Sequence, residues 1–285
     1  VLLILWLMHG YVAFKLISPL DITFIKTITL YSLAFILSLL PLLPIVLRMN
    51  GNESKILDKV SLIGYTSLGF FTLSFLIFLM KDFSQQIFLF FSRYFENDEP
   101  IVDSKRDFLR KTVNFGIISL SGAATLYGFR QARNGPSIIY QDIYLKNLPK
   151  EFDKFSIAQI SDLHVGPTIK RPYVELVLNE ISHLNPDLIA ITGDLVDGSV
   201  RHLRSDCEPL AEMIAPYGTF FATGNHEYYS GVDQWLDETD RLGMKNLVNS
   251  NEILNIKNSK IALAGVTDYR AQTIKKGHKT DPKKA

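Results

Sequence analysis

One pattern, repeated three times, limits what this chain can fold into: an apolar run that reads as a buried strand, ended by a short polar string. The runs are residues 155–161, 187–193 and 218–224. The strings are Asp162-Leu163-His164, Gly193-Asp194 and Gly224-Asn225-His226-Glu227, roughly thirty residues apart. A strand, a return helix and the next parallel strand need about that length, so successive βαβ units bring all three strand ends to one sheet edge. Ligand sites in parallel α/β sheets form outside those carboxyl ends. Aspartate, histidine and an asparagine carbonyl meeting there make a hard-to-borderline donor set suited to a divalent cation.

The connecting segments fit this reading. Residues 171–184 place Val174, Val177, Leu178, Ile181 and Leu184 at helical spacing, after Pro172 near the first turn. Residues 206–215 and 232–242 repeat the pattern more briefly. Residues 260–266 form a fourth strand, with a hairpin partner at 252–256 across Lys257-Asn258-Ser259. Upstream, 130–150 is a linker containing Gly135-Pro136, with residues 137–145 as an edge strand.

The chain has 285 residues and a net charge of +1, with a mean hydropathy of +0.12 that is unevenly distributed. Before Gln131 apolar runs dominate. Residues 28–47 and 60–80 have the length a helix needs to cross about 30 Å of hydrocarbon. Residues 1–12 read as the tail of an earlier span, and 112–129 as a weaker fourth, interrupted by Gly116, Ser119, Ser121 and Gly122. Pro41 and Pro44 lie within the second span, a position membrane helices tolerate. The expected organisation is a membrane region over 1–129 with four helices, the linker over 130–150, and a globular domain over 151–285. Val at position 1 suggests a processed or partial amino terminus. The near-zero charge, with no basic stripe interleaved with aromatics, gives no argument for nucleic acid. Cys207 is the single cysteine, which excludes an intramolecular disulfide and a thiolate metal cluster.

Residues 81–111 carry Lys81, Arg93, Lys105, Arg106, Arg110 and Lys111, against Arg48, Lys55 and Lys59 in the preceding connection. The positive-inside bias puts the longer loop in the cytoplasm and everything after Gln131 outside. Within it, residues 87–95 read either as a segment lying flat in the membrane interface or as an ordinary connector. Residues 104–111 read either as a basic flank anchoring the next helix or as a segment resembling a twin-arginine export signal, with Lys105 in place of its first arginine. Both place the following domain outside.

The three strings carry one chemistry. Asp162 and His164, two apart at a strand end, reach a common cation. Asp194 has two oxygens and can bridge that cation to a second, to which Asn225 offers a carbonyl oxygen. Two cations about 3.5–4 Å apart bind phosphoryl oxygens and lower the pKa of a shared water. His226, beside Asn225, is placed to meet a phosphate oxygen or to protonate the leaving group. Each string alone is an ordinary turn after a strand, but Gly-Asn-His followed by an acid arises by chance in only about one chain in a thousand.

Residues 157–268 resemble the calcineurin-like metallophosphoesterase superfamily, in its membrane-anchored bacterial branch. The carrying strings are Gln159–Gly166, Pro186–Gly198 and Thr223–Ser230. The resemblance implies a four-layer α/β/β/α sandwich, here partial, with a binuclear centre of two divalent ions such as manganese, iron or zinc. By it Asp162 and His164 bind the first metal, Asp194 bridges, Asn225 binds the second, His226 assists catalysis, and Glu227 stands behind the ligands. It also implies a later histidine and a Gly-His-x-His motif that this sequence lacks. His278 is a weak substitute, and the expectation is an incomplete sequence, inactive by itself. The implied activity is hydrolysis of a phosphoester or pyrophosphate on a membrane-tethered domain, extending to lipid-linked or envelope substrates such as UDP-diacylglucosamine. The rival reading is a membrane-anchored binding or scaffold protein that keeps the fold without turnover.

Overall fold

A computed structural model describes residues 1–92 and 103–285. The chain divides into two compact units, 1–132 and 133–285.

The first unit is helical: α1 (Leu2–Ile17), α2 (Phe24–Leu39), α3 (Leu43–Met49), α4 (Lys55–Ser92) and α5 (Asp103–Gln131). Leu5, Met8 and Val12 of α1 pack with Phe71 and Phe78 of α4 and Ile117 of α5. A group of polar side chains links α1, α4 and α5. Lys15 Nζ meets Asp82 at 2.5 Å, Tyr11 donates to Asp82 at 2.6 Å, and Lys81 donates to Asn114 at 3.1 Å. Arg48 pairs with Asp58 at 2.9 Å near the start of α4. Two segments, Phe24–Met49 and Lys55–Ser92, are long and apolar enough to cross a membrane. Of the other two expected spans, α1 has only 16 residues. The last, α5, carries Lys105, Arg106, Asp107, Arg110, Lys111 and Arg130 and does not meet that standard among the described residues. The turn at residues 40–42 separates α2 from α3 around Pro41, where the ring removes an amide donor. The expected connector from Lys81 onward is helical through Ser92 as the continuation of α4. Residues 93–95 of the proposed interfacial segment lie outside the described residues.

The second unit is a mixed α/β domain. Its elements are β1 (Ile157–Ile160), α6 (Arg171–Leu184), β2 (Leu188–Thr192), α7 (Val200–Cys207), β3 (Thr219–Ala222), α8 (Asn225–Ser230), α9 (Val232–Arg241), β4 (Lys245–Asn246), β5 (Ser250–Ile256), β6 (Ser259–Gly265) and α10 (Ala271–Ile274). The first four strands form a parallel sheet in the order β1-β2-β3-β4, and β5 and β6 form an antiparallel hairpin. The expected helix at 171–184 is α6, begun beside Pro172 and ended by Asn185 in the left-handed region. Its Val174, Val177 and Ile181 pack with Ile189 and Ile191 of β2, Leu203 and Trp235. The alternate β2 residue Leu188 joins Phe152, Phe220, Leu247 and Leu254 of the hairpin in a second cluster. The parallel sheet is thus covered on both faces, which is why its strands read as continuous apolar runs.

Two expected elements differ. Residues 135–145 have no strand pairing, and Ile139, Tyr140 and Tyr144 are exposed. The helix expected at 206–215 lies earlier, as α7, capped by Ser199 accepting from the His202 amide. Pro209 lies in the 3₁₀ turn Glu208–Glu212 that follows.

Candidate metal centre

The strings that end β1 and β2 depart from regular pairing together. Asp162, His164 and Asp194 all have positive φ, at 56°, 48° and 52°, a region that aspartate and histidine enter more readily than most residues. Cross-links hold the excursion. Asp162 N donates to Gly193 O at 3.2 Å, His164 N to Asp194 O at 3.0 Å, and Val165 N to Leu195 O at 2.8 Å. Parallel pairing then resumes at Val165 and Val196. The result is a paired bulge that collects Asp162, His164 and Asp194, each able to offer a ligand atom within 4.8 Å of the others. His164 Nε2 lies 3.8 Å from Asp162 Oδ1.

The β3 string approaches from the next strand. A Cβ on Gly193 would lie 2.3 Å from the Gly224 nitrogen, and one on Gly224 2.2 Å from Asp194 Oδ1. Only glycine at both positions lets the loops meet this closely. Asp194 Oδ1 accepts from the His226 amide at 2.9 Å. Asn225 is the first residue of α8 and is half-buried. His226 follows it, its ring meeting that of His164 edge-on at 4.5 Å between centroids.

Sequence reasoning assigned no role to Asp197, yet it ties the histidines together. Asp197 Oδ1 accepts from His164 Nδ1 at 3.0 Å and also meets His226 Nδ1. These three residues form a second group with ligand atoms within 4.8 Å of one another. A carboxylate only accepts, so each Nδ1 carries its proton toward Asp197 and each Nε2 is left as the other ring nitrogen. The Asp197 loop is itself held, because buried Trp235 donates from Nε1 to Gly198 O at 2.9 Å. The signal was present in Gly193-Asp194-Leu195-Val196-Asp197-Gly198, where a second carboxylate follows Asp194 by three residues.

Burial disfavours the charged form of His164, but the hydrogen bond and charge of Asp197, with the charges of Asp194 and Asp162, outweigh it and raise its pKa. Glu227 is fully buried. Burial pushes its carboxyl above the usual range, opposed by three amide donors, from Gly224, Leu195 and Asp194. His278 joins neither group and instead bonds the Tyr228 hydroxyl through Nδ1 at 3.0 Å.

The donor set fits a divalent cation: two carboxylates and an imidazole converge at one strand edge, and the imidazole is oriented from behind by a further carboxylate. Fold and site together define a parallel α/β domain with a histidine–aspartate cluster at its strand ends that could hold a metal ion. The sequence model of the calcineurin-like phosphoesterase family matches residues 155–279, which lie within the second unit. A transmembrane protein with metallophosphoesterase domain from Danio rerio is 30% identical over 231 residues, covering 79% of this chain and 52% of the relative. A metallophosphoesterase of Helicobacter pylori is 35% identical over 145 residues, covering 51% and 37%. One from Aquifex aeolicus is 37% identical over 126 residues, covering 44% and 47%. The chain therefore spans about half the length, or less, of these curated relatives. No solved structure matches it.

Proposed function

We propose that this protein is a membrane-tethered, metal-dependent phosphoesterase whose catalytic domain faces away from the cytoplasm. The observation that carries this reading is the convergence of Asp162, His164 and Asp194 on one point, beside a His226 ring engaged by Asp197. The family match and the naming of the Danio rerio relative as a transmembrane protein support it.

In this reading Asp162, His164 and Asp194 hold one cation, and Asp194 with Asn225 contributes to a second. Bound divalent cations supply charge neutralisation at phosphoryl oxygens and a lowered pKa for a coordinated water. The chain's own residues do the rest. Asp194 shares its carboxylate between the metal side and the His226 amide, fixing the helix that carries His226. Asp197 keeps the proton on Nδ1 of both histidines, so His164 presents a neutral Nε2 as a ligand. In its doubly protonated form, with Asp197 holding Nδ1–H, His226 would donate from Nε2–H to a phosphoryl oxygen, or pass that proton to the departing alkoxide as a water oxygen adds to phosphorus and the ester phosphorus–oxygen bond breaks. The substrate is a phosphoester or pyrophosphate. The two apolar segments favour lipid-linked or envelope molecules, because they keep the domain next to the bilayer.

The test is hydrolysis of bis(4-nitrophenyl) phosphate by membranes from cells expressing the gene, before chelation, after it, and after Mn²⁺ is returned. Loss and recovery support the proposal. Hydrolysis that ignores both chelation and Asp194→Asn refutes it.

A further inference from the structure

Glu227, in the first turn of α8, is fully buried beside the centre, and among the described contacts it meets no cationic side chain. Its oxygens accept instead from backbone amides on two separate loops. Oε2 takes Gly224 N at 2.7 Å and Asp194 N at 3.1 Å, and Oε1 takes Leu195 N at 2.8 Å. Gly224 belongs to the loop after β3. Asp194 and Leu195 belong to the loop after β2, where Asp194 sits at φ 52°. A return link runs the other way, from the His226 amide to Asp194 Oδ1. The two loops are therefore stapled reciprocally: the carboxylate of each binds the backbone of the other.

We propose that Glu227 is a positioning residue whose carboxylate locks the Asp194 and Gly224 loops in register, so that Asp194 is presented to the metal in one fixed orientation. This rests on the phosphoesterase reading for the metal, but the lock itself is a property of the chain. Charge and acceptor geometry, rather than volume, are what Glu227 supplies. Its two oxygens face three N–H donors. A glutamine of the same size must turn its NH₂ toward either Leu195 N or the pair Asp194 N and Gly224 N, leaving at least one buried amide donor facing another donor. Aspartate, one methylene shorter, keeps an acceptor on both oxygens and still serves at least one loop. A residue that merely filled space would behave the opposite way. Glutamine would then be nearly silent, and aspartate, by leaving a void, would be the worse change.

The experiment compares wild type, Glu227→Gln and Glu227→Asp, as the full chain in detergent, with two readouts. The first is amide hydrogen exchange at Asp194, Leu195 and Gly224 without metal, referenced to Ile189 and Ile191 in the core. The second is Mn²⁺ affinity by titration. The expected result is faster exchange at the three loop amides with the core reference unchanged. Mn²⁺ affinity should fall about 10–100-fold in Glu227→Gln, as for other residues that orient metal ligands, and less in Glu227→Asp. If Glu227→Gln loses core protection as well, Glu227→Asp decides: loop exchange no faster than wild type, or undiminished Mn²⁺ affinity, in a folded Glu227→Asp chain overturns the proposal. So does the reverse ranking, with aspartate the worse substitution. If wild type binds no Mn²⁺, the phosphoesterase reading fails, and the exchange comparison still judges the lock.

Discussion

Asp197 and His226 meet carboxylate to Nδ1, and the same Asp197 oxygen accepts from His164 Nδ1 at 3.0 Å. One side chain therefore sets the tautomer of both histidines, the proposed metal ligand and the proposed acid. Asp197→Asn keeps the shape but offers an amide that can turn an NH₂ toward either ring. Turnover is expected to fall about 10–100-fold, the usual effect of losing a group that orients catalytic or ligating residues. The check is kcat on a phosphodiester with the folded fraction verified. Wild-type kcat would remove Asp197 from the account.

His226→Gln separates chemistry from metal binding. Metal content should stay near wild type, while turnover drops about 10²–10⁴-fold for loss of a positioned proton donor. The loss should be greatest for substrates with poor leaving groups. Equal loss across leaving groups would argue for phosphate binding rather than acid catalysis at His226.

The loops also make a prediction about stability. Gly193 has φ +85° and no room for a Cβ, which would lie 2.3 Å from the Gly224 nitrogen. Gly193→Ala adds the left-handed cost of roughly 1–2 kcal/mol to a forced separation of the loops. Hydrogen exchange in the second unit should show destabilisation of at least that size. A Gly193→Ala protein as stable as wild type would mean the loops do not need this approach.

The pH dependence follows from His164, whose pKa is raised above its ordinary 6.5 by Asp197, Asp194 and Asp162 despite burial. A group raised on folding stabilises fully below its unfolded value, and that contribution is lost as pH rises through the folded value. In chelator, wild type should therefore lose stability relative to His164→Gln as pH increases from 6.5 upward. Metal affinity should run the other way, rising with pH as the imidazole gives up its proton. Thermal melts and Mn²⁺ titrations across about pH 5–8 read both slopes. Parallel slopes would contradict the assignment of His164 as ligand.

The side of the membrane can be read with a thiol. Cys207 is fully buried and burial pushes its thiol pKa upward, so it is a poor reporter in the native protein. Asn258→Cys, in the exposed turn of the β5–β6 hairpin, in a Cys207→Ser background, should react with an impermeant maleimide on intact cells. Labelling only after permeabilisation would place the domain in the cytoplasm.

Much of the fold was legible because burial on both faces writes itself as apolar runs: β1, β2 and β3 each fall inside an expected strand, and α6 begins and ends where expected. The short β4, Lys245–Asn246, was not legible, because two polar residues carry no apolar pattern. The pattern at residues 137–145 suggested a strand, but propensity alone supplies no hydrogen-bonding partner. α7 was misplaced because only Val200, Leu203 and Cys207 mark its buried side. At the site, Asp162, His164 and Asp194 could be read as a group because strand ends converge. Asp197 could not, because its contacts depend on how the loop after β2 folds back, and that turn is fixed by Trp235 from α9.

The central claim is that a divalent cation is held at these strand ends by Asp162, His164 and Asp194. Mn²⁺ titration of the purified chain, wild type beside Asp162→Asn, His164→Gln and Asp194→Asn, tests it most directly. The account predicts at least one bound ion in wild type, weakened in all three variants and most in Asp194→Asn, where a carboxylate shared by both proposed sites loses its charge. Wild type that binds no Mn²⁺, or binding that survives Asp194→Asn unchanged, would contradict it.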